Sequence, residues 1–258
     1  MTGNSVLSII LLSIVTIIIY SISAEKTIAI ILPCYNPPKG WENNVLETIS
    51  RLKSRINSKL ELIIVNDGST SNVTEEGVQM ILDSSVIKTS IHKMEVNKGK
   101  GAALRRGVME CSSNYIIFTD IDFPYIEENM VMLSNELLKD SNDVVLGHRN
   151  YNYYEKTPFL RKIISKMLRR SLKFFLRLPT DDSQCGLKGF NEKGARIFAQ
   201  TTIDRFLFDL EFIKKASKSK LKITTISVEL RPNVVFSKVG LKILFKEFGN
   251  FLKILIKS

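Results

Sequence analysis

The sequence predicts an α/β fold with a mostly parallel central sheet flanked by helices. Over the first 150 residues, short apolar runs rich in β-branched residues alternate with segments of helical periodicity. Strands that are apolar at nearly every position are typical of a parallel sheet covered on both faces. Polar clusters directly follow three of these runs, at 33–36, 66–69 and 120–122. Because ligands bind beyond the carboxyl ends of such strands, the three clusters together form the predicted site.

Five strands and four helices are predicted in chain order. The strand-like runs are 27–32, 60–65, 87–94, 115–119 and 143–146. Apolar residues at helical spacing predict helices over 44–56, 74–82, 101–111 and 129–138. We see no internal repeat and no low-complexity linker, so residues 25–238 are expected to form one domain.

The N-terminal segment predicts a membrane anchor. Residues 1–24 carry no charged side chain, and 6–22 is almost wholly apolar, which approaches the roughly 20 residues that span a bilayer. A cleaved signal peptide is the alternative, with 21–24 as its cleavage site, but no basic residue precedes the apolar run. Basic residues follow the run from Lys26 onward, and such flanks stay cytoplasmic. We therefore expect a single-pass anchor and a body that faces the cytoplasm, at the endoplasmic reticulum if the source is eukaryotic.

Charge and cysteine content restrict the class of partner and metal. The chain has 37 Lys and Arg against 26 Asp and Glu, a net charge of +11, so an anionic partner is expected: nucleic acid, anionic lipid or a phosphorylated substrate. Cys34, Cys111 and Cys185 lie far apart without a CxxC pair, which argues against a disulfide framework or a zinc site. With only two histidines, a metal would be a hard cation held by carboxylates.

Two basic amphipathic segments occur in the second half. Residues 156–177 contain no acidic side chain, and 241–256 repeats the pattern of lysines opposite apolar residues. Helices of this composition lie in a membrane interface; a solvated face over a protein core is the alternative. The C-terminal segment 239–258 is expected to be one such helix.

Asp120 and Asp122 are the candidate metal ligands. In a continuing strand, their spacing places both side chains on one face, and a divalent cation would relieve their repulsion and bridge to a diphosphate. The alternative is a turn with solvated aspartates.

Three further stretches could contact a substrate. Asp67 lies in a turn sequence and could accept a hydrogen bond from a nucleobase. The glycine-rich segment 97–101 opens a helix, where backbone N–H groups and lysines can approach phosphate; the alternative is an ordinary helix start. Residues 181–188 read as a polar loop, and Asp204, Asp209 and Glu211 as an acidic edge or a helix surface.

Taken together, these stretches resemble the family 2 glycosyltransferases with a GT-A fold, in particular the dolichyl-phosphate β-glucosyltransferase and polyprenyl-phosphate mannosyltransferase group. The resemblance runs in order along the chain. Its blocks are Leu-Pro-Cys-Tyr-Asn at 32–36, Val-Asn-Asp-Gly-Ser at 65–69, Asn-Lys-Gly-Lys-Gly at 97–101, Asp-Ile-Asp at 120–122, Gly-His-Arg at 147–149, Asp-Ser-Gln-Cys-Gly-Leu-Lys at 182–188 and Phe-Asp-Leu-Glu at 208–211.

The resemblance implies roles for residues in each block. Asp120 and Asp122 would hold Mg²⁺ or Mn²⁺ with the donor diphosphate, and Asp122, Arg149 and Asp182 would be the residues closest to the chemistry. The remaining substrate-binding residues implied are Pro33, Tyr35, Asn36, Asp67, Lys98, Lys100 and Gln184. Arg161 and Lys188 are candidates on another ground: Arg and Lys are dense around them, and positive charge is needed to bring the acceptor phosphate to the donor diphosphate.

The resulting functional expectation is an inverting transferase that moves one hexose from a nucleotide-sugar to a polyprenyl or dolichyl phosphate. UDP-glucose is the favoured donor and GDP-mannose the alternative. Membrane lipids are expected as partners. Other possibilities are an enzyme of the same family with a glycan acceptor, an inactive homologue, and a membrane-tethered nucleic-acid-binding protein. The last lacks basic strands interleaved with aromatics, so no nucleic-acid partner is expected.

Overall fold

The computed structural model of the protein describes residues 26–149, 180, 182–205 and 207–232. Several predicted features lie outside these residues: the anchor at 1–24, Arg161, and the basic segments 156–177 and 241–256. Within the described ranges, no helix is both long and apolar enough to cross a membrane.

The described residues form one seven-stranded sheet. Its strands are β1 (Thr27–Cys34), β2 (Lys59–Asn66), β3 (Lys88–Lys93), β4 (Tyr115–Phe118), β5 (Val144–Arg149), β6 (Lys188–Asn191) and β7 (Ile223–Val228). Their order is β3-β2-β1-β4-β6-β5-β7. Only β6 runs against its neighbours, β4 and β5. The five predicted strands are confirmed, whereas β6 and β7 were not predicted.

Six helices cover the two faces of this sheet in the described residues. They are α1 (Trp41–Arg55), α2 (Glu75–Ser84), α3 (Lys100–Glu110), α4 (Glu127–Leu138), α5 (Glu192–Ala199) and α6 (Phe208–Lys218). The four predicted helices are confirmed to within three residues. At α2, the cap residue Thr74 accepts a hydrogen bond from the Gly77 amide at 3.1 Å, which satisfies a free donor of the first turn.

The alternation of β1 divides the core into two layers. Ile28, Ile30 and Leu32 pack on the face covered by α1, α2 and α4. Ala29 and Ile31 pack on the face covered by α3, α5 and α6. All five side chains are fully buried, and burying an aliphatic side chain of the size of Leu or Ile stabilises a fold by about 1.5–3 kcal/mol. The strands that carry the site are therefore held from both faces.

An aromatic cluster supports the end of β4. Its rings contact one another with centroid separations between 5.1 and 6.1 Å and belong to Phe118, Phe190, Phe198, Phe208 and Phe212. Aromatic pairs at such distances stabilise a core beyond their burial alone. The cluster fixes β4, β6, α5 and α6 together and includes Phe118, the last residue of β4.

Candidate active site

The polar clusters predicted at the strand ends meet at one edge of the sheet. Cys34 at the end of β1 is in register with Asn66 at the end of β2, and Asn66 is in register with Lys93 at the end of β3. On the other side of β1, Phe118 at the end of β4 pairs with Ile31. The loops that follow these four strands are therefore neighbours, as the sequence predicted.

Asn36 joins the loops after β1 and β2. Its Oδ1 atom accepts hydrogen bonds from the Thr70 amide at 2.8 Å and the Ser71 amide at 3.1 Å. Its own amide donates to Ser69 Oγ at 3.0 Å. Asn36 thus shapes the rim of the site, and its neighbour Tyr35 leaves half of its side chain exposed there. Pro33, also predicted at the site, is half-buried in β1.

Asp67 binds the glycine-rich loop instead of facing solvent. Its Oδ1 accepts the Lys98 amide at 2.8 Å, while Oδ2 accepts the Gly99 amide at 2.8 Å and the Asn97 side-chain amide at 3.0 Å. The residue is 2% exposed. Asp67 thus positions the glycine-rich loop in this structure, and its predicted contact with a nucleobase stays a prediction.

Several backbone N–H groups of the glycine-rich loop are likewise occupied. Lys98 and Gly99 donate to Asp67. The Gly101 and Ala102 amides donate to the Asp204 carbonyl at 2.7 and 3.3 Å, where they begin α3. In this structure four amides of the loop and of the helix start therefore donate to protein oxygens, and the predicted approach of the loop to phosphate stays a prediction.

Glycine is nevertheless required in this loop. Gly99 has φ 117°, and a Cβ there would lie 2.5 Å from the Asp204 carbonyl oxygen. Both the backbone conformation and the contact exclude other residues. What the loop offers a ligand is its lysines: the Lys98 side chain is exposed, and Lys100 extends toward Asp120.

Asp120 and Asp122 lie in a turn and not in a strand. β4 ends at Phe118, and the Phe123 amide closes the turn by donating to the Asp120 carbonyl at 3.0 Å. The predicted alternation of side chains along a strand therefore does not determine the positions of the two carboxylates. They still act on each other: burial raises the pKa of Asp122, and the Asp120 charge raises it further.

The two oxygens of Asp120 have different surroundings. Lys100 Nζ lies 2.5 Å from Oδ1. Oδ2 faces Gly186, where a Cβ would approach it to 2.7 Å. Space beside Oδ2 therefore exists because residue 186 is glycine. In the described part of the chain no group of three or more His, Cys, Asp or Glu side chains forms a metal site. A cation held by one or two carboxylates plus substrate phosphates, as Mg²⁺ is, fits this donor set.

Lys188 is buried and paired. The side chain has no exposed area, and its ammonium lies 2.8 Å from Asp209 Oδ1. It also donates to the Cys185 carbonyl and lies 5.7 Å from the centre of the Phe118 ring. Asp209 Oδ1 accepts no well-oriented hydrogen bond, so the contact is an ion pair set by proximity. The ammonium of Lys188 is thus held inside the fold in this structure, and its predicted substrate-binding role stays a prediction.

Arg149 and Asp182 form a second internal pair. Arg149 Nη2 donates to Asp182 Oδ1 at 2.5 Å, and both Nε and the backbone amide donate to Oδ2 at 2.8 Å. Asp182 is 1% exposed. Gln184, two residues further on, is exposed. Of the acceptor-side residues predicted within the described chain, Gln184 is therefore the one that remains open to solvent.

Two residues beside the site were missed by the sequence analysis. Tyr125 Oη accepts a hydrogen bond from the Gly186 amide at 3.0 Å, which holds Gly186 against the aspartate turn. Arg231 is joined to the same region through its backbone amide, which donates to the Pro124 carbonyl at 2.9 Å, and its charge acts on Asp122. No local sequence signal marks either residue, because each contact joins distant parts of the chain.

Comparison with known proteins places this geometry in a family. The pattern of glycosyl transferase family 2 matches residues 29–198. Dolichyl-phosphate beta-glucosyltransferase ALG5D of Trichomonas vaginalis is 28% identical over 217 residues, covering 78% of this chain and 65% of its own length. The dolichyl-phosphate beta-glucosyltransferase of Saccharomyces cerevisiae is 26% identical over 222 residues, covering 79% and 66%. The chain thus spans about two thirds of the length of these relatives.

Solved structures show the same fold at lower identity. Glucosyl-3-phosphoglycerate synthase from Mycobacterium tuberculosis, crystallised with Mn²⁺, uridine diphosphate and glucosyl-3-phosphoglycerate, superposes with a TM-score of 0.62 at 17% identity over 92% of this chain and 81% of that one. The mannosyltransferase PcManGT from Pyrobaculum calidifontis gives a TM-score of 0.52 at 14% identity, over 82% and 59%. The architecture is therefore the GT-A fold. With the family pattern covering most of the sheet and the aspartate turn, the chain belongs to glycosyl transferase family 2.

Proposed function

We propose that this protein transfers one hexose, glucose in the favoured case, from a nucleotide-sugar to a dolichyl or polyprenyl phosphate at the cytoplasmic face of a membrane. The observation that carries the proposal is the aspartate turn after β4, with Lys100 against it, at the carboxyl edge of a family 2 fold. The relatives named above supply the sugar and the acceptor, since both are dolichyl-phosphate beta-glucosyltransferases.

On the donor side, Asp120 and Asp122 would hold Mg²⁺ or Mn²⁺. When bound, such an ion supplies positive charge to the diphosphate and so stabilises the leaving group. Lys98 and Lys100 add cationic charge on the side of the glycine-rich loop, and the exposed ring of Tyr35 offers an apolar surface nearby. The crystallised mycobacterial enzyme contains Mn²⁺ and uridine diphosphate, which supports a metal and a uridine nucleotide here.

On the acceptor side, the chemistry needs little base catalysis. A phosphate monoester has a second pKa of about 6, so its oxygen is largely ionised at neutral pH. The Asp182 carboxylate, which could otherwise act as a base, already accepts three hydrogen bonds from Arg149. Hydrogen bonds to the charged form weaken a carboxylate as a base. We therefore favour a single displacement with inversion at the sugar carbon, in which the acceptor phosphate attacks directly and Asp182 orients the site.

Contact with the membrane is assigned to parts of the chain outside the described residues. The apolar segment 1–24 would anchor the protein, and the basic segments 156–177 and 239–258 would lie on anionic lipid and bring cations, among them Arg161, to the acceptor phosphate. Residues 150–181, which include the basic segment 156–177, connect Arg149, at the carboxyl end of β5, to Asp182, and these two residues are paired. This connection supports an acceptor that approaches from the membrane to that edge of the sheet.

The proposal is tested by direct assay. Membranes containing the protein are incubated with dolichyl phosphate and either labelled UDP-glucose or labelled GDP-mannose, and the lipid fraction is extracted. We expect label in the lipid from UDP-glucose, dependent on Mg²⁺ or Mn²⁺ and absent with an Asp122→Ala variant. Label in the lipid from GDP-mannose alone would show that the sugar transferred is mannose and not glucose. Label in neither lipid sample would contradict the lipid-phosphate acceptor.

A further inference from the structure

Lys100 already pairs with Asp120, one of the two candidate metal ligands. Its ammonium lies 2.5 Å from Asp120 Oδ1, so in this conformation a lysine neutralises part of the aspartate turn. The Lys100 side chain is 24% exposed. The side chain is therefore less enclosed than that of Lys188, and the four-carbon stem of lysine allows its ammonium to change partners.

The backbone of Lys100 is held at the start of α3. Lys100 is the first residue of α3, and the amides of the next two residues donate to the Asp204 carbonyl. A change of partner at Lys100 therefore requires only rotation about side-chain bonds, without movement of α3 or of the glycine-rich loop.

Asp209 supplies a second attraction for the Lys100 ammonium. The charges of Asp120, Asp209 and Asp122 all favour the charged form of Lys100 against the effect of burial. Asp209 is itself 5% exposed and held by Lys188, so it stays in place when the aspartate turn gains a ligand. Lys100 thus retains a nearby carboxylate after it leaves Asp120.

We propose that Lys100 is a placeholder cation: it pairs with Asp120 while the nucleotide is absent, and it moves to the donor diphosphate when metal and nucleotide bind together. The inference rests on the proposed nucleotide-sugar donor. Two cations cannot share Asp120 without repulsion, whereas a diphosphate offers the displaced ammonium new anionic oxygens. The consequence is coupling: metal alone binds weakly, because it competes with Lys100, and nucleotide strengthens its binding by taking Lys100 away.

The test measures Mn²⁺ binding by electron paramagnetic resonance on full-length protein, with and without uridine diphosphate, and needs no sugar transfer. An ion pair that is partly open to solvent is worth up to about 1 kcal/mol, so Lys100→Met is expected to bind Mn²⁺ about fivefold more tightly without nucleotide. With uridine diphosphate present this gain is expected to vanish or reverse. Lys100→Gln, which keeps a polar side chain, is expected to behave in the same way.

The matched control is Arg106→Met, on the same helix. Arg106 is paired with Glu110 at 2.6 Å and is half exposed, so this variant removes one positive charge from α3 without touching Asp120. Its Mn²⁺ affinity is expected to equal that of the wild type. Circular dichroism on all variants shows whether the fold is kept.

Two results would overturn the inference. If Lys100→Met and Arg106→Met bind Mn²⁺ alike without nucleotide, Lys100 does not compete with the metal. If Lys100→Met gains equally with and without uridine diphosphate, Lys100 is a stationary charge and does not move. A failure of uridine diphosphate to bind any of the proteins would instead count against the proposed donor, while the measurement without nucleotide would still decide whether Lys100 competes.

Discussion

Arg149 and Asp182, 33 residues apart in the chain, are joined by a bidentate ion pair. The guanidinium donates through Nε and Nη2 to the two carboxylate oxygens, at 2.8 and 2.5 Å. The pair is almost fully buried, with side-chain exposures of 14% and 1%. Breaking a buried pair leaves an uncompensated charge, which is far more costly than losing an exposed one.

The first prediction concerns this pair. Asp182→Ala is expected to lower the free energy of unfolding by about 3–5 kcal/mol, because Arg149 would lose its partner in a buried position. Asp182→Asn keeps a neutral acceptor and is expected to lose less. Urea unfolding of both variants measures the difference. Equal stability of Asp182→Ala and wild type would show that the pair is not a structural element.

A variant of Asp182 also tests whether the acceptor phosphate needs a general base. If the acceptor phosphate is already ionised, Asp182→Asn should retain more activity than Asp122→Ala. Initial rates at saturating dolichyl phosphate, with acceptor affinity measured separately, make this comparison. An Asp182→Asn variant that binds acceptor normally but is as inactive as Asp122→Ala would require Asp182 to be a true base.

The second prediction is that Asp120→Ala and Asp122→Ala abolish transfer while the fold is kept. Without these carboxylates the diphosphate loses its charge-neutralising metal. Rate measurements with added Mn²⁺ check the loss of transfer, and circular dichroism checks that the fold is kept. Asp83→Ala, on the surface of α2 with Gln79 as its partner, is the control. Full wild-type activity in excess chelator would contradict the metal requirement.

The third prediction is that Lys188→Met destabilises the protein by about 3–5 kcal/mol, because Asp209 would be left as a buried charge. Lys188→Met combined with Asp209→Leu is expected to recover most of the loss, since removing both charges avoids the unpaired ion. Denaturant midpoints of the two single variants and the double variant form the cycle. Unchanged stability of Lys188→Met with a raised acceptor KM would instead favour the predicted substrate-binding role of Lys188.

The fourth prediction is a pH dependence. Burial alone would raise the pKa of Glu211, but hydrogen bonds from the Ile203 and Thr202 amides, at 2.8 Å each, hold it below its usual value. A carboxyl group with a lowered folded pKa contributes stability at neutral pH, and this contribution is lost as the pH falls through the folded pKa. Glu211→Gln should therefore lose about 1–3 kcal/mol at pH 7 and show a shallower loss toward acid.

Unfolding measured between pH 7 and pH 3 checks this, with the exposed Glu47→Gln as control. If the stability of Glu211→Gln and wild type falls identically toward acid pH, Glu211 does not cause the pH dependence.

The fifth prediction concerns the membrane. A chain beginning at Glu25 is expected to lose integral attachment yet still bind anionic vesicles through its basic segments, and salt should weaken this binding. Vesicle sedimentation at low and high salt measures it, with neutral vesicles as the comparison. No binding to anionic vesicles at low salt would contradict the interfacial assignment of 156–177 and 239–258.

The sequence by itself determined the alternation of strands and helices and the edge at which the site lies. Those features depend on local signals: the continuous apolar run of β1, the turn residues after it, and the aspartates after β4. Parallel strands bring their carboxyl ends to one edge, so the meeting of the polar clusters followed without knowledge of any side-chain contact.

Only the tertiary structure decided what each polar side chain does. β6 has four residues, too few for a periodic signal, yet its insertion between β4 and β5 is what buries Lys188 beside Asp209. Asp67 lies in a turn sequence that would suit an exposed side chain, but the loop that follows β3 encloses it. Hydrogen bonds and ion pairs between residues far apart in the chain leave no local pattern in the sequence. These contacts determined which charged side chains are paired inside the protein and which can still bind a ligand.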